Sequence, residues 1–413
     1  MSSTANRDSF EFVLLGSEQS AYNIARAFWH AYGIKATVFT RGMQAEIRAS
    51  RFIGDVHVEK RLGEDKQFVK TLVDYAKANP EKKKLLLPNR DGYVQLIARN
   101  YEVLSKYYTL SVIPYKQVMK LGDKAEFYKV CEKYGLDYPK THVVSSKKET
   151  AGKLEFPVIV KASEWSAWAA VSFATKKKIY LAKDPADLAA ILAAIYDADY
   201  KGEMILQEYI PGIDSTEAEI HAYSSEDGKV RFMQFCRGVL GECRPDSVGS
   251  YAATMTEPND ELLKKVKKFL EGEKYNGISN FDLKYDARDG KWKIFEINCR
   301  LSRSSYAMVV SGHNFATMLG EELIYGNKPE NETEYSQDEI IYTLLEKWFI
   351  KKYVADEKIK KKVLKLWREG KVERAFIDKQ DVNPMRFLLF LRNQRQWYKT
   401  FKRYFGRATD FEG

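Results

Sequence analysis

The sequence predicts an α/β protein with more than one domain. Apolar strand patterns alternate with helical periods from the start of the chain, which is typical of an open α/β unit. The chain has 413 residues, too many for one ordinary hydrophobic core, so two or three packed domains are expected. A hairpin with a polar face, between residues 281 and 300, follows these units. It carries the side chains around which the predicted function is organised.

The composition is that of an ordinary globular protein with a basic excess. Hydrophobic residues make up 45% and charged residues 30%, and the formal net charge is +10. A basic excess indicates an anionic partner: a nucleotide, a nucleic acid, an acidic envelope precursor or a membrane surface. The four cysteines show neither a C-x-x-C pair nor a metal-finger spacing, and neither a signal peptide nor a long apolar run is present. We therefore expect a cytoplasmic protein with reduced thiols and no membrane span.

The first part of the chain reads as an α/β domain that ends near residue 115. Its first strand ends in Gly16, and the helical period that follows ends at Gly33. There is no G-x-G-x-x-G, so no dinucleotide site is predicted. The predicted elements are strands at 10–16, 34–40 and 85–87 and helices from Tyr22 to Gly33, near 68–79 and up to Asn100.

The middle of the chain alternates strands and helices before the hairpin. One strand ends in Lys161, and a later strand is broken by Pro211 and Gly212. The predicted elements are helices at 125–134, 185–198 and 261–271, strands at 155–161, 179–182, 204–210, 219–224 and 230–239, and loops at 163–174 and 241–250. From Asp338 onward the pattern predicts helices.

The hairpin brings oxygen ligands to one face. Asp289-Gly290 is a typical turn between two alternating runs. Glu296 and Asn298 are two residues apart, so they project from the same face of their strand, and Asp282 on the partner strand can face them. Carboxylate and amide oxygens suit a magnesium ion that also bridges nucleotide phosphates. The alternative is an exposed hairpin whose polar face is simply solvated.

Three further features precede the hairpin in a fixed order. They are Lys124 before a helix, Lys161 at a strand end, and the strand-to-turn segment 207–212. Taken singly, each is more simply a solvated lysine or an ordinary strand end. Together, two lysines can neutralise phosphates, an apolar strand edge can bind adenine, and the hairpin can hold magnesium. This order resembles the ATP-grasp superfamily of carboxylate–amine and carboxylate–thiol ligases, over about residues 10–325.

The ATP-grasp resemblance implies ATP and Mg²⁺ as cofactors, with Mn²⁺ as an alternative ion. It implies that backbone groups of the second and fourth hinge residues read the adenine and that an acidic residue holds the ribose. The nucleotide-binding residues by this resemblance are Lys124, Lys161, Gln207, Glu208, Tyr209, Ile210 and Asp214, and the metal ligands are Asp282, Glu296 and Asn298. Arg300 matches the arginine that often follows the metal ligands.

Within the superfamily, the sequence is most similar to the D-aspartate ligases of Gram-positive cell-wall synthesis. The stretches that carry this likeness are 13–17 with 22–26, 127–141, 203–212, and 280–300 with Ser304-Ser305. That family attaches the β-carboxyl of D-aspartate to the lysine side chain of a peptidoglycan precursor. The chain departs from many ATP-grasp proteins in the flap after the second lysine, because residues 163–170 contain no glycine. We therefore assign no flap ligand.

The resemblance implies a ligase that activates a carboxylate by phosphoryl transfer. The acid attacks the γ-phosphorus to give an acyl phosphate, and an amine then displaces phosphate. Such catalysis depends on positioning and electrostatics rather than on a dedicated nucleophile. Lys161, Arg300 and Arg303 are the candidate catalytic residues, since the arginines suit a carboxylate or the transferred phosphate. Arg237 and Arg244 are weaker candidates, and His221 and His313 are interpreted as structural.

The expected division is a preATP-grasp α/β domain at 1–115, a small ATP-grasp subdomain at 116–205, a large subdomain with the metal hairpin at 206–335 and a helical basic extension at 336–413. In the extension, residues 386–407 hold seven basic residues and no acidic one, interleaved with aromatics. The favoured interpretation is a helix docked on the body with a solvated basic face. The alternative is an interfacial helix for anionic lipid, at the inner face of the membrane, or for an anionic cell-wall precursor. Nucleic acid is the least favoured partner.

Two other functions stay open at the level of sequence. The same chemistry could join free amino acids into a dipeptide or make another small amide. The chain could also be a catalytically silent, basic nucleotide- or membrane-binding module. The complete set of two lysines and three metal ligands favours an enzyme. The resemblance also implies a homodimer, because many relatives form dimers.

Overall fold

The computed structural model describes residues 10–163, 165–244, 247, 249–330 and 332–406. Within these ranges the chain forms three β-sheets, of five, four and eight strands. Helices cover the sheets, so the α/β class predicted from the sequence is confirmed. All four cysteines are free thiols. Across the part of the chain that the structure describes, we find no helix whose length and hydrophobicity would allow it to span a lipid bilayer.

The first sheet is parallel and lies at the start of the chain. Its strands are β1 (Phe10–Leu15), β2 (Ala36–Thr40), β3 (Ile53–Val58), β4 (Lys83–Pro88) and β5 (Thr109–Leu110), in the order β3-β2-β1-β4-β5. Its helices are α1 (Gln19–Tyr32), α2 (Asp65–Ala78), α3 (Asp91–Arg99) and α4 (Tyr101–Leu104). The apolar run of β1 is buried on both faces, as a central parallel strand requires. Gly16 has a φ of +103°, and a Cβ there would collide with Asn89 at the end of β4.

The second sheet is antiparallel and follows two short helices, α5 (Tyr115–Gly122) and α6 (Lys124–Lys133). Its strands are β6 (Thr141–Val144), β7 (Val158–Ala162), β8 (Tyr180–Ala182) and β9 (Met204–Glu208), in the order β6-β9-β7-β8. Its helices are α7 (Trp165–Ala170) and α8 (Pro185–Asp197). The loop predicted at 163–174 was wrong over 165–170, which form α7. The burial of Trp168 explains why helix α7 forms, since the ring of this residue packs edge-on against Tyr180 and Tyr200.

The third sheet is the largest and contains the predicted hairpin. Its strands are β10 (Glu217–Ser224), β11 (Val230–Gly241), β12 (Tyr251–Thr256), β13 (Gly277–Asp286), β14 (Lys291–Asn298), β15 (Glu334–Tyr335), β16 (Ile341–Thr343) and β17 (Val372–Arg374). The order is β14-β13-β10-β11-β12-β16-β17, and β15 pairs with β11. Its helices are α9 (Asp260–Gly272), α10 (Tyr306–Val310), α11 (Phe315–Leu323), α12 (Lys347–Tyr353), α13 (Glu357–Arg368) and α14 (Pro384–Tyr404).

The C-terminal segment is not purely helical, which corrects the expectation for the chain after Asp338. Strands β16 and β17 extend the third sheet. The segment also packs on helix α1 of the first domain, where the Asn23 side chain donates to the Tyr342 hydroxyl over 2.7 Å. One buried apolar cluster joins α1, the third sheet and Phe401 of α14. The last helix is therefore docked on the body of the protein.

Candidate active site

The hairpin of β13 and β14 has the geometry that its sequence predicts. The turn ends in Gly290, whose φ of +73° is the left-handed conformation that glycine tolerates best. Asp282 lies directly opposite Glu296 in the antiparallel register. The register then shifts, so Phe295 forms a β-bulge beside this pair. Bulges of this kind are frequent next to active sites, because they re-aim neighbouring side chains.

Asn298 completes the predicted trio. Its Nδ2 lies 3.1 Å from Asp282 Oδ2 and 3.2 Å from Asn280 Oδ1. Asn280 lies directly opposite Asn298, so its side chain belongs to the same face of the sheet. Two carboxylates and two amides therefore converge on the end of the hairpin. Within the described residues, no group of three or more His, Cys, Asp and Glu side chains is arranged to hold a metal; the trio itself contains only two such residues.

A third carboxylate, which the sequence analysis did not single out, lies beside the trio. Glu219 on β10 is the register partner of Asp282. Burial raises the pKa of Asp282 well above its usual range, and the neighbouring Glu296 and Glu219 carboxylates add to the effect. Burial also raises the pKa of Glu219. The face thus concentrates negative charge that a cation would stabilise.

His221 lies two residues further along β10, opposite Asn280. Burial lowers the pKa of His221 to about 3, so the imidazole is neutral at physiological pH. Its Nδ1 is 3.3 Å from Asn280 Nδ2. Its Nε2 lies 3.4 Å from Glu219 Oε2, and the interpretation of His221 as structural stays a prediction. His313 is also packed, since its ring stacks on Phe232 with centroids 4.2 Å apart.

The two predicted lysines reach the hairpin from different elements. Lys124 is the first residue of α6, whose N-terminus is capped by Asp123. Its Nζ is 3.0 Å from Glu296 Oε2. Burial opposes the charge on Lys124, but the carboxylates of Glu296, Asp282 and Asp91 together raise the pKa of the lysine. The same Lys124 charge holds the pKa of Glu296 well below its usual range.

Lys161 approaches from β7 and is almost completely buried. Its Nζ donates to Gln207 Oε1 over 2.8 Å and lies 5.2 Å from the ring centroid of Phe295. Burial, together with the nearby Lys124 charge, lowers the pKa of Lys161 to about 7. The bulged residue, the hinge strand and both lysines therefore meet in one place.

The predicted hinge continues from β9. Gln207 is fully buried, and its Nε2 donates to the Tyr128 hydroxyl over 2.8 Å. The Glu208 amide donates to the Lys140 carbonyl over 2.9 Å. The Glu208 carboxylate receives Lys293 Nζ at 2.9 Å and an Arg288 nitrogen at 3.0 Å. Glu208 thereby connects the hinge to the outer end of the hairpin.

The hinge ends in two residues that leave the sheet. Tyr209 is half-buried, whereas Ile210 is almost completely buried. Asp214 follows in a short 3₁₀ turn and lies against Gly241, where an added Cβ would come to 3.0 Å from its carboxylate. Burial raises the pKa of Asp214, and the Gly241 amide and Lys284 oppose this. Lys284 lies two residues beyond Asp282 on β13, so the two side chains project from the same face of the sheet. Asp214 therefore lies next to the face that carries the trio, displaced from Asp282 toward the turn of the hairpin.

The two predicted arginines are both held by acids that the sequence did not reveal. The Arg300 guanidinium contacts both oxygens of Asp91, the first residue of α3, with Nε–Oδ1 and Nη2–Oδ2 distances of 3.0 Å. It also donates to Asn298 Oδ1 over 3.1 Å. Arg303 pairs with the buried Glu242. Arg300 Nη2 thus donates to both Asp91 and Asn298, whereas its Nε lies close to Asp91 Oδ1 without forming a hydrogen bond, so the two Nη2 bonds and the ion pair orient Arg300.

The residues missed by sequence reasoning are Glu219, Asn280, Asp91 and Glu242, together with Ser304, whose hydroxyl donates to Glu219. Glu219 and His221 are spaced for one face of a strand, which was a usable signal. The spacing alone could not predict that β10 pairs with β13, which is what brings Glu219 next to Asp282. The two arginines that the sequence offered as weaker candidates for substrate binding differ from each other. Arg237 pairs with Glu257 at 2.6 Å, whereas Arg244 is 3.9 Å from Glu242.

Comparison with known proteins places this arrangement among ligases. No protein-family model matches the chain. The D-aspartate ligase of Enterococcus faecium (strain Aus0004) is 33% identical over 418 aligned positions, which cover 98% of this chain and 99% of that protein. An alignment over both complete lengths at this identity shows common ancestry rather than a shared motif.

Solved structures show the same fold at low identity. The synthetase that makes N5-carboxyaminoimidazole ribonucleotide, solved with ADP, has a TM-score of 0.59 at 13% identity, covering 96% of this chain and 98% of that one. The L-amino acid ligase of Bacillus licheniformis has a TM-score of 0.54 at 14% identity, covering 76% and 74%. The biotin carboxylase domain of Hydrogenobacter thermophilus 2-oxoglutarate carboxylase has a TM-score of 0.60 at 14% identity, covering 79% and 72%.

These comparisons confirm the ATP-grasp fold predicted from the order of the lysines, hinge and hairpin. They also confirm the resemblance to D-aspartate ligases, since the full-length relative carries that activity in its name. The chain belongs to the D-aspartate ligase family and is an ATP-dependent carboxylate–amine ligase of the ATP-grasp fold.

Proposed function

We propose that this ligase activates the β-carboxyl of D-aspartate with Mg²⁺·ATP and couples it to the lysine side chain of a peptidoglycan precursor. The observation that carries the proposal is the cluster of Lys124, Lys161, Asp282 and Glu296 in a chain that is 33% identical to the Enterococcus faecium enzyme. The neighbouring structures contain ADP or its magnesium salt, which supports the same cofactors here.

The residues present fit a magnesium ion. Asp282 and Glu296 face each other, and Asn298 is within hydrogen-bond distance of Asp282. The pKa of Asp282 is raised by burial and by the adjacent Glu296 and Glu219 carboxylates, so a cation here would relieve like-charge repulsion. We assign Asp282, Glu296 and Asn298 as metal ligands. The bound ion would neutralise charge that develops on the transferred phosphoryl group.

The lysines and the hinge would hold the nucleotide. Lys124 now pairs with Glu296, and we propose that it turns to the phosphates when the metal takes over that carboxylate. Lys161 lies beside it and would donate to a second phosphate oxygen. Residues 207–210 would line the adenine and Asp214 the ribose. The Glu208 amide already donates to Lys140, so we expect the Glu208 contact with adenine to involve its carbonyl.

The arginines would hold the acid. Arg303 is the candidate for the spare carboxylate of aspartate, which would replace its present partner Glu242, whereas Arg300 donates to Asn298 and would act near the transferred phosphate. The reaction then needs no protein nucleophile. The aspartate carboxylate attacks the γ-phosphorus, ADP leaves, and the amine attacks the acyl phosphate and releases inorganic phosphate.

The test is ADP release with ATP, Mg²⁺ and single amino acids, with hydroxylamine added to trap an acyl phosphate. D-Aspartate should give hydroxamate, and L-aspartate and D-glutamate should not. Glu296→Gln should reduce turnover by at least about 100-fold, because it removes a charge from the metal site. Glu261→Gln on the exposed face of α9 is the matched control and should be unchanged. Equal turnover in both variants would overturn the site assignment, and hydroxamate formation from another acid would overturn the substrate.

The alternative product is a dipeptide or other small amide. It would be favoured if D-aspartate were activated and free amino acids accepted it as well as a lysine-containing peptide does.

We also propose the four-part division at residues 115, 205 and 335. The sheets support the first boundary, whereas β9 crosses the second and β16 and β17 join the third sheet across the last.

We further propose a peripheral contact of α14 with the inner face of the membrane, in a cytoplasmic enzyme. Three large apolar side chains on the outer side of α14 are exposed, namely Phe387, Leu388 and Leu391. Basic residues follow them, and this combination favours anionic lipid. Co-sedimentation with phosphatidylglycerol vesicles should fall in Leu388→Asp.

A homodimer, as described for the Hydrogenobacter biotin carboxylase domain, is proposed as well and is tested by light scattering.

A further inference from the structure

A cavity of about 480 Å³ lies between the first domain, the third sheet and α14. Its lining includes Glu18 after β1, Glu46, the Glu242 and Arg303 pair, and Arg392 of α14. Its volume falls in the range of pockets that enclose ligands larger than a single amino acid. The reaction proposed above involves one such ligand, the peptide that carries the acceptor amine.

The inner side of α14 forms one complete wall of this cavity. The wall residues from Arg386 to Thr400 recur at the spacing of one helix face. The wall is held in place: Arg386 pairs with Asp381 at 3.3 Å and donates to the Glu46 carbonyl over 2.6 Å. Of the exposed apolar residues of α14, Phe387, Leu388 and Leu391 lie on its other side, whereas Met385 is seven residues before Arg392 and shares the face of that residue. The helix therefore presents a fixed polar surface to the cavity.

Most charges in the lining neutralise each other. Glu242 pairs with Arg303, and Glu18 pairs with Arg90 at 3.0 Å. Within the described residues, neither the Glu46 carboxylate nor the Arg392 guanidinium forms an ion pair or a hydrogen bond, although the Glu46 charge favours the charged form of Arg303 nearby. The cavity thus offers one acid and one base to a ligand. A molecule that carries both an ammonium group and a carboxylate matches these charges.

One end of the cavity reaches the reacting groups. Arg303 lines it, and the next residue, Ser304, donates its hydroxyl to Glu219. Glu219 is the register partner of Asp282 in the proposed metal site. A ligand in the cavity would therefore lie beside the place where the acyl phosphate forms.

We propose that this cavity is the acceptor site and that α14 is its specificity wall. Arg392 binds a free carboxylate of the acceptor peptide, and Glu46 receives the ammonium form of the lysine as it enters. This inference rests on the proposed function for the nature of the acceptor. The proposal gives the basic residues on the inner side of α14 a role in substrate recognition. The proposed membrane contact involves the outer side of the helix and does not explain these residues.

The test uses a tripeptide with a central lysine, prepared with a free C-terminal carboxylate and as the C-terminal amide. For the wild-type enzyme we expect the KM of the acid to be about tenfold below that of the amide. Arg392→Gln should raise the KM of the acid to that of the amide and leave the KM values of ATP and D-aspartate unchanged. Arg395→Gln, an equally exposed arginine that does not line the cavity, is the matched control and should behave as the wild type.

Glu46→Gln is the second variant. It should weaken binding of the lysine peptide several-fold in calorimetry without ATP, and it should leave a norleucine analogue unaffected. Equal effects of Arg392→Gln and Arg395→Gln, or an acid-to-amide ratio that Arg392→Gln does not change, would overturn the proposal. Calorimetry separates the two hypotheses: Arg392-dependent peptide binding without any D-aspartate turnover would refute the proposed acid and leave the acceptor site standing.

Discussion

The protonation state of Lys161 depends strongly on its surroundings. It is buried beside Phe295, its amine donates to Gln207, and a second lysine lies close by. Burial and the Lys124 charge lower the pKa of Lys161 to about 7. A phosphate would reverse this effect, because an anion favours the charged amine. If Lys161 contacts a phosphate as proposed, nucleotide binding is coupled to proton uptake.

We predict that ADP binds with uptake of a proton above pH 7 and without uptake well below it. Below pH 7 the free enzyme already carries the charged lysine, so binding changes nothing. Above pH 7 the free lysine is neutral, and binding must protonate it, so the affinity falls as the pH rises. Calorimetry at pH 8 in two buffers of different ionisation enthalpy measures the uptake directly.

Lys161→Arg is the control for this coupling, because a guanidinium stays charged at pH 8. Its binding heat should not depend on the buffer, even if its affinity is lower. Buffer-dependent heat of equal size in the variant would assign the proton to another group.

At this scale, the sequence predicted what depends on neighbours in the chain. The alternation of β14 places Glu296 and Asn298 on one face, and the turn at Gly290 brings Asp282 opposite. The partners of the arginines could not be predicted in this way. Asp91 is 209 residues before Arg300, and nothing in the local pattern of either residue reports the contact.

Among elements, the long helices and strands followed their periodicity, whereas the short ones did not. Strands β16 and β17 have three residues each, too few to show alternation, and they exist because the third sheet offers an edge. Helix α7 has six residues and depends on the burial of Trp168. Tertiary packing decided these elements, so a local pattern could not predict them.

One buried acid contributes to the attachment of the C-terminal segment to α1. Asp378 receives Arg26 Nε at 2.6 Å and His30 Nε2 at 2.7 Å. Although burial opposes ionisation, these partners hold the pKa of Asp378 well below its usual range. Its stabilising effect is therefore complete at neutral pH and is lost as the pH falls through and below the usual aspartate range.

We predict that Asp378→Ala lowers the free energy of unfolding by about 3 kcal/mol at pH 7, because it leaves a buried arginine without one of its two acids. Urea unfolding followed by tryptophan fluorescence measures the change. Glu357→Gln, which removes an exposed i,i+3 pair in the same segment, should change it by less than about 0.5 kcal/mol. A loss below about 1 kcal/mol in Asp378→Ala would show that the remaining contacts, namely Arg26–Glu373, Asn23–Tyr342 and the apolar cluster, hold the segment without Asp378.

At the scale of the whole molecule, the site is assembled from all three sheets. The hairpin and Glu219 come from the third sheet, Lys161 and Gln207 from the second, and Asp91 follows the first. The Asp91–Arg300 pair is a direct link between the first domain and the end of the metal hairpin. Phosphoryl transfer depends on the positions of such groups to within an ångström, so this link should affect the rate more than the stability.

We predict that Asp91→Ala reduces kcat about tenfold to 100-fold, because Arg300 loses the carboxylate that helps to position it. The melting temperature should change little, since the Asp91 side chain is 59% exposed. Steady-state ADP release and a thermal melt measure the two effects. Asp65→Ala, whose half-exposed carboxylate pairs with Arg99 in the same domain, is the control and should retain full activity. The double-mutant cycle compares Asp91→Ala, Arg300→Ala and the variant that carries both changes. If all three variants lose the same activity, the two residues act as one unit. If the losses add, Asp91 acts independently of Arg300.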